Sequence, residues 1–176
     1  ALTHDFGKAV CTEEKDGVLH AYLHETKGLP LVETFLRRIT GETRLIEYVL
    51  NLVELHMKPN TVANAGSAPK VTNRMFDQAM DPEALVCIAL ADDRGRISTR
   101  PTGSTEAFLT ERLALYRELM ARPYVMGRDL IEAGLKPGGE FTQLLEYAHK
   151  LRLSGVEKKI ALKQIKAYAR ELNGGK

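Results

Sequence analysis

Apolar residues recur at helical spacing along most of this chain, and nowhere do Val, Ile and Thr alternate with polar residues long enough to predict a strand. Residues 1–8 read as the end of a helix, and 9–19 as a charged loop turning at Glu13-Glu14-Lys15-Asp16-Gly17. The pattern predicts a helix over 29–39. Pro30 fits its first turn, because a proline deeper in would lack the amide hydrogen and clash with the preceding turn. His24 then falls in the entry to that helix, or just before a kink. Gly41 separates it from a helix over 42–57, whose apolar stripe is Leu45, Val49, Leu52 and Val53, followed by His56. Pro59, Asn60, Asn64, Gly66, Ser67 and Pro69 mark 58–70 as a loop, with a short helix after it to 79. Asp81-Pro82-Glu83 supplies a cap, a first-turn proline and a first-turn acid. The helix it starts runs to about 94 and is apolar nearly all round, so it is predicted to be buried.

Arg100-Pro101-Thr102-Gly103-Ser104 is the predicted boundary between a first domain, 1–100, and a second, 101–176. Beyond it the pattern gives a long helix to about 122, a break at Pro123, a short helix over 127–133 and a turn over 134–139. Two more helices follow, separated at Ser154-Gly155. The fold class is therefore all-α. Ala1-Leu2-Thr3 leads straight into His4-Asp5 with no cap, which reads as a fragment of a longer chain.

Composition changes this picture little. The 176 residues are 44% hydrophobic and 27% charged, as in an ordinary soluble protein, and the longest apolar run, 84–91, is far too short to span a bilayer. No secretory leader is recognisable. Cys11 and Cys87 share no motif and read as reduced thiols of a cytoplasmic protein. Charge adds one asymmetry. From Lys136 onward there are nine Lys/Arg against four Asp/Glu, a local +5 within a net charge of +2. A basic tail behind an acidic body hints at a polyanion partner, but charge alone favours a solvated amphipathic helix.

Candidate chemistry lies before residue 100, where four of the five histidines, 4, 20, 24 and 56, are found. His56 completes an apolar stripe, and Asp92 falls on the line 85, 88, 89, 92 of an apolar helix. A buried carboxylate is costly unless paired, hydrogen-bonded or metal-bound. A satisfied core histidine accounts for His56 taken alone, and a partner such as Arg94 or Arg96, or exposure at the helix end, accounts for Asp92. His4-Asp5 offers an imidazole nitrogen and a carboxylate oxygen side by side, donors suited to Mn, Fe, Ni or Zn. His20 and His24 are one helical turn apart if that stretch is helical. A divalent ion held by such residues makes water acidic enough to attack near neutral pH and neutralises phosphate charge. Lys8, three residues after Asp5, is either a point charge for a substrate phosphate or a solvated lysine.

These residues carry a resemblance. His4-Asp5-Phe6-Gly7-Lys8 resembles the signature of HD-domain phosphohydrolases, His-Asp-x-Gly-Lys. His24-Glu25 with Gly28, then Leu52-Val53-Glu54-Leu55-His56-Met57, resemble that family's next two histidine motifs. Ala91-Asp92-Asp93-Arg94-Gly95-Arg96 is similar to the closing Ala-Asp motif of bacterial tRNA nucleotidyltransferases, the CCA-adding enzymes. Gly127-Arg128-Asp129-Leu130-Ile131, Gly134-Leu135-Lys136-Pro137-Gly138 and Leu153-Ser154-Gly155 resemble their C-terminal helical region. The resemblance implies an HD-type helical bundle followed by a smaller helical module. It implies a divalent cofactor (Mn, Ni, Mg, Fe or Zn) held by His4, Asp5, His24, His56 and Asp92, with Asp5 and Lys8 as catalytic groups. The implied activity is hydrolysis of 2′,3′-cyclic phosphates, 2′-nucleotides and phosphate monoesters. The implied partner is tRNA or a nucleotide phosphoester, contacted through Lys136, Lys158, Lys159 and Lys163, with Lys166 in the same tail. The turn at 134–138 resembles a helix-hairpin-helix, and a plain structural turn explains it equally. The family's further upstream histidine and the nucleotidyltransferase head lie outside this sequence, so the chain as given is not expected to add nucleotides. A non-catalytic tRNA-binding body with a vestigial metal site is the alternative.

Overall fold

A computed structural model describes residues 2–95 and 103–174. The described residues are mostly helical, as the patterning predicts, with one two-stranded sheet. Among the described residues no helix is long and apolar enough to cross a membrane. The chain forms two compact units, Ala1–Leu113 and Ala114–Lys176.

In the first unit, residues 2–7 form turns closed by i→i+3 bonds such as Phe6 N–H to Thr3 O, and helix α1 (Lys8–Cys11) follows them. A helix was expected to end here; one begins here instead. Strands β1 (Thr12–Lys15) and β2 (Val18–Ala21) then pair antiparallel, with Glu13 opposite His20 and Lys15 opposite Val18. The expected loop is thus a hairpin. Asp16 and Gly17 both take positive φ, 54° and 76°, the two-residue turn whose twist suits paired strands and for which Asp-Gly is a strong signal.

Helix α2 (His24–Lys27) leads through Gly28 into α3 (Leu29–Ile39), with Pro30 in its first turn as expected. α3 packs on α4 (Thr43–Leu55) through Val32, Leu36, Ile46 and Val53, each burial of this kind being worth about 1.5–3 kcal/mol. The buried stripe of α4 begins at Ile46 rather than Leu45, which is exposed. Phe6 joins this core edge-on to Phe35, ring centroids 5.3 Å apart, and so anchors the turn that carries His4 and Asp5.

The expected loop at 58–70 is largely helical: α5 (Met57–Asn64) places Pro59 in its first turn, where the missing amide hydrogen would have no partner anyway. Gly66, at φ 57°, ends that helix. α6 (Pro69–Gln78) buries Met75 and Phe76. α7 (Pro82–Gly95) starts at the predicted cap, where Asp81 Oδ1 accepts the Ala84 amide at 2.9 Å, and it buries Leu85, Val86, Ile88 and Ala89. Its other face, including Cys87 and Asp93, is exposed, so it is not buried all round.

Arg100, Pro101 and Thr102 of the expected boundary lie outside the described residues, and so does Arg96. Helix α8 (Ser104–Ala121) begins just after them and continues across the division at Leu113/Ala114. The Pro/Gly/Ser signal therefore marks where α8 starts, while the change in packing comes later, within the helix.

The second unit comprises the end of α8, α9 (Gly127–Glu132), α10 (Phe141–Leu153) and α11 (Lys158–Gly174). Leu130, Leu144, Ala148, Ala161, Ile165 and Ala169 form its core. The Arg152 guanidinium donates to the carbonyls of Leu119, Met120 and Arg122 and lies over the Tyr124 ring, satisfying the end of α8.

Candidate metal centre

Four segments deliver the five expected ligands. The turn before α1 brings His4 and Asp5, the first residue of α2 is His24, His56 sits between α4 and α5, and Asp92 lies in the last turn of α7. Their donor atoms converge in two groups that share Asp5: Asp5 with His24 and His56, and Asp5 with His4 and Asp92. Asp5 Oδ1 is 3.2 Å from His24 Nε2 and 4.0 Å from His56 Nε2. Asp5 Oδ2 is 3.4 Å from His4 Nε2, which lies 3.7 Å from Asp92 Oδ1. One carboxylate thus turns one oxygen to each group.

His24 and His56 are oriented from behind. His24 Nδ1 donates to the Ala21 carbonyl at 2.9 Å, and His56 Nδ1 donates to the Val53 carbonyl at 2.6 Å. A carbonyl can only accept, so Nδ1 carries the ring proton and Nε2 is the free donor atom in each neutral ring. The two Nε2 atoms are 3.3 Å apart. With both rings neutral the two lone pairs face each other at that distance, and a cation between them, a proton or a metal ion, relieves the repulsion. Bonds of about 2.1 Å to an ion put neighbouring ligand atoms roughly 3.0–3.4 Å apart, so the shorter separations fit a divalent metal.

Burial opposes ionisation of Asp5, but the Lys8 hydrogen bond, the charges of His4 and Lys8 and that of His24 together hold its carboxyl below the ordinary value. Burial pushes the His56 ring below the usual histidine range against the pull of the Val53 carbonyl, and His4 and His24 add to the lowering. Anionic carboxylate and neutral imidazole are the forms a metal binds. The Lys8 ammonium sits 2.6 Å from Asp5 Oδ2. It lines a cleft of about 440 Å³ with His4, Asp5, Ile88, Ala91 and Asp92.

Gly7 and Gly28 are what allow this convergence. A Cβ on Gly7 would lie 1.9 Å from the His24 carbonyl oxygen, and one on Gly28 would lie 2.6 Å from the Gly7 nitrogen. The turn bearing His4-Asp5 and the helix bearing His24 touch backbone to backbone, which glycine alone permits. The orienting carbonyls of Ala21 and Val53 were not foreseen, since a backbone atom leaves no mark in the sequence. Asn60, buried on α5, donates to the Ala89 carbonyl at 3.1 Å and so joins the helix after His56 to the helix of Asp92; only its spacing of four from His56 hinted at this.

His20 belongs to neither group. Its stretch is a strand, so the expected helical pairing with His24 does not form, and its ring stacks on Tyr22 instead. In the second unit Lys136 is exposed beside a hollow of about 480 Å³ lined also by Phe141 and Leu144. Lys158 is held by Asp129 at 2.8 Å. Lys159, Lys163 and Lys166 are exposed, opposite the buried Ala161, Ile165 and Ala169 of α11.

No family model matches the chain, and searches of curated proteins and of solved structures find no match either.

Proposed function

We propose that this chain holds a divalent cation at His4, Asp5, His24, His56 and Asp92 and hydrolyses phosphoester bonds, as its resemblance to HD-domain phosphohydrolases implies. The observation that carries the reading is the pair of Nε2 atoms 3.3 Å apart, each turned inward by a carbonyl behind it, with Asp5 Oδ1 beside them. The bound ion supplies Lewis acidity, which neutralises phosphate charge and acidifies water near neutral pH. Asp5 serves both donor groups, one oxygen to each. His4 and Asp92 close the side that faces the cleft. Lys8 offers a point charge for a non-bridging phosphate oxygen. The carbonyls of Ala21 and Val53 keep two ligands in the correct tautomer.

The test is metal content and hydrolysis together. Protein loaded with Mn²⁺ or Ni²⁺ is expected to cleave a 2′,3′-cyclic nucleotide or an aryl phosphate. Asp5→Ala, at a half-exposed position, is expected to fold while losing both metal and activity. Retention of wild-type metal content and rate by that variant refutes the proposal.

One observation favours a second reading, a tRNA-binding body of a nucleotidyltransferase-like protein. On α11, Lys159, Lys163 and Lys166 with Arg170 recur at i, i+4, i+7 and i+11 and are exposed along one face. Charge reversal at Lys159 and Lys163 is expected to weaken tRNA binding and flatten its salt dependence. Absence of tRNA binding at low salt refutes this second reading.

A further inference from the structure

One buried polar residue near the proposed centre has no place in its ligand set. Asn60 stands one helical turn after His56, and only 9% of its surface is exposed. Its Nδ2 donates to the Ala89 carbonyl at 3.1 Å. A carbonyl only accepts, so this bond fixes which way round the amide lies. Oδ1 is therefore the other corner. It is buried and accepts from no described residue. One half of a buried amide is satisfied, and the other half is not.

Stability does not account for an asparagine here. The bond lands on a carbonyl in the middle of α7, which the helix already pairs with the amide of Asp93. Leucine at position 60, close to asparagine in shape, would strip no group of its only partner. It would remove an orphaned oxygen and add apolar contact between α5 and α7. A residue kept for packing alone would thus be apolar, like the Leu85, Val86, Ile88 and Ala89 that α7 buries.

What an amide does and a leucine does not is fix direction. An apolar contact lets two helices slide by a fraction of an ångström, whereas a hydrogen bond holds one donor on one acceptor. The place of this bond gives that difference a consequence. α5 packs on α7. His56 precedes Asn60 by four residues, and Asp92 follows Ala89 by three. Each spacing keeps its two residues on one face, with Cβ atoms roughly 5–6 Å apart. His56 and Asp92 accordingly form the level next to the Asn60–Ala89 bond. There the His4 ring lies 5.1 Å from the His56 ring, and His4 Nε2 lies 3.7 Å from Asp92 Oδ1.

We infer that Asn60 is a positioning residue of the centre: its amide, bonded to the Ala89 carbonyl, sets the register of α5 on α7 and with it the separation of His56 from Asp92. The inference rests on the proposed metal site, because metal affinity is what the register serves.

Asn60→Leu and Asn60→Ala are compared with wild type by thermal melting of the metal-free chain and by titration with Co²⁺, whose visible absorption reports affinity and coordination geometry together. Asn60→Leu is expected to melt at or above the wild-type temperature, yet to bind Co²⁺ about tenfold more weakly and with altered band intensity. Asn60→Ala removes the same bond without adding bulk. It is expected to melt lower and to show the same altered absorption, which separates loss of register from overpacking. Wild-type affinity and spectrum in Asn60→Leu overturn the inference. So does a Leu variant whose melting temperature falls in step with its affinity while Asn60→Ala keeps the wild-type spectrum, since the amide is then a structural support only. The two failures are distinguishable. Wild-type protein that takes up no Co²⁺ removes the metal centre and this inference together, whereas uptake unchanged by either substitution removes this inference alone.

Discussion

Gly7→Ala is the sharpest probe of how the centre is built. The added methyl would lie 1.9 Å from the His24 carbonyl oxygen, 2.7 Å from its carbonyl carbon and 2.9 Å from its Cα. All three are backbone atoms, so no side-chain rotation relieves the overlap, and the turn carrying His4 and Asp5 must withdraw from α2 by roughly 1 Å or more. Overpacking of this kind costs about 2–4 kcal/mol, which lowers the melting temperature by roughly 6–12 °C for a protein of this size. The same withdrawal opens the 3.2 Å approach of Asp5 Oδ1 to His24 Nε2. Metal affinity is therefore expected to fall further than stability alone explains, by about 10–100-fold, the range seen when ligand-orienting contacts are lost. Gly41→Ala is the control, because a Cβ there meets nothing within 4 Å and its φ is not positive; it is expected to change stability by less than about 0.5 kcal/mol. Calorimetric melting and metal titration of the two variants decide the matter. A Gly7→Ala protein that melts and binds metal like wild type refutes the backbone-contact argument.

Two further outcomes follow from the same physics. Because burial lowers the His56 pKa in the folded protein, the unfolded chain takes up a proton first as pH falls through about 6.5; metal-free protein should lose stability from there downward, and His56→Gln should remove that part of the dependence, which urea unfolding at a series of pH values will show. Arg152→Ala should destabilise the second unit by about 1–3 kcal/mol by leaving the carbonyls that end α8 without their donor, and Arg152→Lys should recover only part, since an ammonium lacks the guanidinium fork; an unchanged denaturation midpoint for Arg152→Ala would remove that role.

Much of the helical scaffold was legible from local signals. Pro30 and Asp81-Pro82-Glu83 place helix starts because a proline ring and a capping carboxylate act on the residues beside them. The same reasoning misread two segments. Pro59 and Asn60 look like loop residues, yet a first-turn proline is harmless and Asn60 spends its amide on the Ala89 carbonyl of another helix. Asp16-Gly17 was a usable hairpin signal, hidden because the flanking strand Thr12–Lys15 is polar on both faces and shows no alternation.

For the candidate centre, the sequence supplies the residue types and their order: His4-Asp5, His24, His56 and Asp92 are visible as ligand chemistry, two of them on apolar helical lines. Tertiary structure alone decides that donors from four separate segments meet, that Asp5 stands between two groups, and that His20 is excluded. Convergence depends on contacts distant in sequence, above all the backbone approach of Gly7 to His24 and the carbonyls of Ala21 and Val53 behind the imidazoles. Periodicity reports which face of a helix is apolar, but it cannot report which atoms of another segment lie across from that face.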